Sequence, residues 1–160
     1  MIHKSQYFLI AYLLLCSSIL AQNIKEEKMN DLSFMVGDWV GTSSVYKEGK
    51  ISKQVPAFQK ISYDISKHII VVELHSSLLQ LHTIIYYDEK DEQYYYYPFS
   101  KRGVSKSPAS YQDGKLVVQP NKNTRFIFSK TSENTFQEYG EKLIDGTWVK
   151  TFEDNFENTK

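Results

Sequence analysis

From Met35 onward, turn signals recur at short intervals, and no connection between them is long enough for a crossover helix. Parallel strands need connections of a dozen or more residues, so this punctuation confines the chain to antiparallel pairing of neighbours. The signals are Glu48-Gly49, Asp88 to Asp91, Asp113-Gly114, Pro120-Asn121 and Asp145-Gly146. The Asp-Gly pairs suit tight hairpins, whose central residues take positive φ. Between the turns lie runs rich in Ile and Val, in a chain that carries 12 Tyr and 9 Phe. Such side chains fit a pleated, half-buried surface. Strands are expected near 36–47, 52–64, 68–76, 79–88, 92–98, 103–111, 115–120, 123–130, 134–143 and 146–156.

One segment breaks the β pattern. Glu26-Glu27-Lys28 leads into Met29 to Met35, where Leu32 and Met35 fall three apart and Asn30 or Asp31 can cap a turn. A short helix there would close one end of a barrel. His68, His75 and His82 are spaced by seven, which on a helix would make a single stripe. Four β-branched residues in succession, Ile69-Ile70-Val71-Val72, argue for strand instead. No repeat, low-complexity tract or linker divides 22–160, so one domain is expected there.

The N-terminus has the make-up of an export signal. Lys4 precedes an apolar run from Tyr7 to Cys16, followed by Ser17-Ser18-Ile19-Leu20-Ala21. The run is shorter than the roughly 20 residues a membrane span requires. A signal peptide over 1–21, cut after Ala21, leaves Gln22–Lys160 as the mature domain in the periplasm or outside the cell. Cys16 is the only cysteine. Leu13-Leu14-Leu15-Cys16 loosely matches a lipoprotein box, although Leu15 stands where such boxes carry a small residue, so lipid anchoring at Cys16 is the alternative. After cleavage at Ala21 no disulfide or thiol chemistry is available. The whole chain balances 19 basic against 19 acidic side chains, and the signal removes Lys4 and no acid. Without a basic cluster, neither nucleic acid nor an anionic membrane is expected as the main partner.

The run Phe34-Met35-Val36-Gly37-Asp38-Trp39-Val40-Gly41 opens the first strand. A glycine there admits a large ring close to the backbone. A Trp aimed at a barrel base buries a large apolar area while its indole N–H seeks an acceptor. With Ile84-Ile85-Tyr86-Tyr87-Asp88, and with Phe136 to Glu141 through Asp145-Gly146-Thr147-Trp148, this run resembles the DUF1579-type proteins, which are themselves similar to calycins. The resemblance implies an all-β fold. It would be a single antiparallel up-and-down lipocalin-like barrel of about ten strands with a short N-terminal helix, exported in bacteria. In lipocalins a basic residue on the last strand packs over the opening Trp; here Lys150 stands on that strand, with no Arg. The nitrobindin-like haem calycins hold iron through a late histidine. This chain has none after His82, so no cofactor is expected.

Strand alternation puts Glu73 and His75 on one face with Ile69 and Val71, opposite Ile70, Val72 and Leu74. A hairpin centred between Leu78 and Leu79 would set His75 against His82 and, with Glu73, offer metal ligands. Sequence leaves that register open, and the same groups serve equally as an exposed edge or as ligand-orienting polar groups, so no metal site is assigned. Six tyrosines fall between Tyr86 and Tyr97. Alternation sends Tyr95 and Tyr97 to one face and Tyr94 and Tyr96 to the other, either lining a pocket or pairing across strands. Glu138, Glu141, Glu153, Asp154 and Glu157 are scattered among Lys142 and Lys150, as on a solvated strand face. No Gly-x-Ser-x-Gly, phosphate-cradling glycine loop or zinc spacing occurs, so no catalytic residue is assigned. The leading expectation is a barrel that binds a small apolar or aromatic ligand without transforming it. Its candidate pocket residues are Trp39, Glu73, His82, Tyr95, Tyr97 and Arg125. The alternatives are an interaction module with a filled barrel, and an isomerase or hydrolase with two titratable groups in a pocket, such as Glu73 and His82.

Overall fold

A strand that is apolar on one face must bury that face, and a row of such strands can do so by curling into a ring. The computed structural model describes residues 24–160. The expected export signal and Cys16 lie outside them. A helix over 24–31 (α1) and a 3-10 turn at Ser33–Met35 lead into the first strand. The strands are β1 (Gly37–Lys47), β2 (Lys50–Asp64), β3 (Ile69–Ser76), β4 (Gln80–Asp88) and β5 (Gln93–Ser100), followed by β6 (Gly103–Val104) and β7 (Ser107–Gln112). The last four are β8 (Lys115–Asn121), β9 (Thr124–Ser132), β10 (Thr135–Ile144) and β11 (Thr147–Asn158). Around the ring the order is β4-β3-β2-β1-β11-β10-β9-β8-β7-β5, and β5 pairs back to β4 to close it. The fold is therefore a closed antiparallel barrel of ten strands with one short N-terminal helix. β6 extends the β5 hairpin outside the ring. Among the described residues no helix is long and apolar enough to cross a membrane.

The strand expected over 103–111 is divided in two. Phe99 pairs with Val104 and Tyr96 with Ser107 in one continuous register, and the gap falls opposite Pro98. Proline has no N–H to give to a ladder, so the pairing lapses there. The hairpin turns follow the sequence signals: Glu48, Asp113 and Asp145 take positive φ of 52°, 52° and 49°. The β2–β3 turn is different. Ile65, Ser66 and Lys67 are all left-handed, at φ 47°, 52° and 65°. A β-branched residue such as Ile65 is strained in that region.

One end of the barrel is packed solid. Met29, Leu32 and Met35 are fully buried and plug the base from α1 and the turn after it. The Tyr94 hydroxyl donates to the Lys28 carbonyl at 2.6 Å and the Tyr63 hydroxyl to that of Met29 at 3.3 Å, tying the plug to β5 and β2. Trp39 donates its indole N–H to the Met35 carbonyl at 2.8 Å and meets Phe136 at a centroid distance of 5.4 Å. A Cβ on Gly37 would lie 3.1 Å from the Trp39 ring, so the glycine is what allows the indole to fold back over the strand. Ile61, Ile70, Ile85, Phe128, Phe136 and Phe156 complete the core, each contributing about 1.5–3 kcal/mol through burial.

Candidate functional site

Towards the other end the interior opens. A cavity of about 920 Å³ extends up to the β3–β4 hairpin, the β8–β9 hairpin and the segment between β5 and β7. Its wall is apolar, built by Val45, Leu74, Leu81, Pro98, Phe126 and Phe152. Gly140 makes one part of that wall possible. A Cβ at that position would lie 2.1 Å from the Phe152 ring, so only glycine lets this ring lie flat against β10 and meet Phe126 at 5.8 Å.

The floor is polar. Register sets Ser43, Asp154 and Glu138 side by side on β1, β11 and β10, all pointing inward. Tyr96 faces them from β5, and all four line the cavity. Gln59 on β2 reaches across and donates from Nε2 to Glu138 Oε2 at 3.4 Å. Among the described residues, Asp154 Oδ1 and Gln59 Oε1 are buried without a hydrogen-bond partner. Burial pushes the Glu138 carboxyl up to about 8, the negative charge of Asp154 adds to the rise, and the Gln59 amide works against it. Asp154 is pushed up to about 6, again chiefly by burial, with the Ser43 hydroxyl opposing and the Glu153 charge adding. Burial, and then the Glu138 charge, also raise the Tyr96 phenol. Two carboxyls, one with an oxygen that accepts no hydrogen bond, thus sit at the bottom of an apolar well beside two hydroxyls.

The residues singled out from sequence lie elsewhere. Trp39 faces inward but belongs to the packed base. Glu73 and His82 face each other across β3 and β4 on the outer wall. His75 pairs with Gln80 rather than His82, because the hairpin is centred between Ser77 and Leu78. Among the described residues no group of three His, Cys, Asp or Glu could hold a metal ion. Tyr95 and Tyr97 are also on the outer wall, each 5.8 Å from Tyr86, with the Lys106 ammonium 3.6 Å above the Tyr95 ring. Their neighbours Tyr94 and Tyr96 take the inward places. Arg125 is outside too, paired with Glu141 at 2.6 Å and stacked on Trp148 at 4.2 Å. None of the six lines the cavity. A one-residue change of phase reverses every face, and alternation alone carries no absolute phase.

The acids read as a solvated face divide. Glu141 and Glu153 sit on the outer wall with Arg125 and Lys150 as partners, and Glu157 is exposed. Glu138 and Asp154, in contrast, are 5% and 2% exposed inside the barrel. The signal for this was present in the chain. Glu138 stands between Phe136 and Gly140 at two-residue spacing, and Asp154 between Phe152 and Phe156, so each acid shares a face with core aromatics. Lys150 lies outside against Tyr46 and Tyr139, and the ring packed on Trp39 is Phe136. Compared with protein-family models and with curated proteins, the chain matches none, so the fold and the chemistry of its cavity carry the functional reading.

Proposed function

We propose that this barrel binds a small, partly apolar molecule in the cavity at its open end. The observation that carries the reading is the 920 Å³ space itself, walled by apolar side chains over a few convergent polar groups. That combination is what small-molecule sites share, and its volume lies within their usual span of roughly 300–1,000 Å³. Calycin-like kinship, and export of the domain from Gln22 onward, belong to the same proposal. N-terminal sequencing of protein recovered from the producing cells should find Gln22, whereas a lipid-modified Cys16 would replace the soluble reading with an anchored one.

The binding test uses N-phenylnaphthylamine, a neutral probe that fluoresces in apolar surroundings. Its emission should rise with the protein and fall in Leu74→Trp/Leu81→Trp, which sets two indole rings in the cavity. Equal emission from both forms would place the probe elsewhere and remove the reading. One observation favours a second reading, an isomerase or hydrolase on the same scaffold. Glu138 and Asp154 converge on the cavity as two carboxyls of different proton affinity, the arrangement that acid–base chemistry uses. Under that reading, turnover of a substrate would vanish with either Glu138→Gln or Asp154→Asn.

A further inference from the structure

The cavity floor selects for a particular ligand chemistry. Both carboxyls line it, with the Ser43 and Tyr96 hydroxyls as the neutral groups beside them, and it carries no positive charge. Asp154 lines the space, and among the described residues its buried Oδ1 accepts no hydrogen bond. A buried acceptor without a partner costs free energy, and a buried carboxylate costs more unless a cation or several donors meet it. Among the described residues no lysine or arginine approaches the pair from inside the barrel. The basic residues that line the cavity are Lys101 and Arg102, exposed at its mouth. A cationic donor brought by the occupant would meet that oxygen and balance the pair's charge.

Resting on the binding reading above, we propose that the ligand is an amphiphile bearing a protonated amine, its ammonium held by Glu138 and Asp154 and its apolar body against Leu74, Leu81, Phe126 and Phe152. An ammonium has three donors and one positive charge. It can satisfy Asp154 Oδ1 and a Glu138 oxygen while neutralising the charge that burial penalises. A neutral alcohol has a single donor and leaves an acceptor unmet. A carboxylate would set a further negative charge beside Asp154.

Cation binding favours the ionised carboxyls, so it should expel protons and tighten as pH rises. The groups that face the pair are Tyr96 from β5, Ser43 from β1, Gln59 from β2 and Phe128 from β9, with Lys101 and Arg102 farther out at the mouth. Of these, Tyr96 stays a neutral phenol across the neutral range, because burial raises it. The pH dependence between 5 and 8 then belongs to Glu138 and Asp154.

The test compares octylammonium, octanol and octanoate, three chains of one length, by calorimetry on the purified protein at pH 8. Octylammonium should bind at least tenfold more tightly than either of the others and lose at least tenfold on going to pH 5. The Glu138→Gln/Asp154→Asn double variant should lose the preference for the amine. Octanol or octanoate binding as well as octylammonium would overturn the proposal, as would an amine preference that survives the double variant, or no binding by any of the three. If the double variant does not fold, the wild-type comparison decides alone. Uptake of the neutral probe, and its fall in Leu74→Trp/Leu81→Trp, judges the binding reading separately.

Discussion

At the scale of single residues, the two inward acids set the pH response of the empty barrel. Unfolded carboxyls titrate near pH 4, whereas burial holds Glu138 and Asp154 protonated to higher pH. Between those limits the native state binds more protons than the unfolded chain, so stability falls as pH rises. The contribution is complete below about pH 4 and is lost as pH passes through about 6 and then 8. Thermal melts should show a lower Tm at pH 8 than at pH 5. Glu138→Gln/Asp154→Asn should flatten the slope; a slope unchanged in that variant would refute the assignment. Ile65 offers a second check. Its left-handed φ of 47° in an exposed turn strains a β-branched side chain, so Ile65→Asn should stabilise by about 1 kcal/mol in urea unfolding. The location of Trp39 beside Gly37 was legible in the chain because the pairing has one steric meaning. The phase of Tyr95 and Tyr97 was not, since four tyrosines in succession present the same side chain to both faces.

At the scale of elements, the base plug is the part that propensity alone would undervalue. A helix over 24–31 is too short to be stable in isolation, so its burial against the barrel must hold it in place. Leu32→Ala should therefore lower stability by roughly 2–5 kcal/mol, read as a reduced urea midpoint. Ile24→Ala, at a side chain that is 49% exposed, should change it by less than about 0.5 kcal/mol. Equal effects from the two would mean that the helix is not anchored through Leu32. Strand positions were legible within two or three residues because the Asp-Gly and Glu-Gly turns have one backbone solution. The division between β6 and β7 was hidden because its cause, Pro98, lies on the partner strand and acts only once register is known.

At the scale of the whole molecule, the β1–β11 seam joins the segments farthest apart in the described chain. Closing it costs the most loop entropy, so it should form after the local hairpins. Phe156→Ala, which removes a ring stacked 6.1 Å from Phe136, should then speed unfolding while leaving the folding rate nearly unchanged. A chevron in which the folding arm slows by the full stability loss would place the seam in the nucleus instead. Sequence could announce the ring but not the hollow. Whether a barrel is filled depends on side chains from many strands at one height, and the small inward Ser43 leaves room that no local pattern reports. The division between a solid base and an open mouth has a consequence for how such a protein changes over time. Every hairpin at the mouth connects neighbouring strands and contributes little to the plug, so loops such as 76–80 and 100–106 can lengthen, shorten or be rewritten while the foundation stays intact. Diversification of what the vessel accepts is thereby uncoupled from the requirement that it fold.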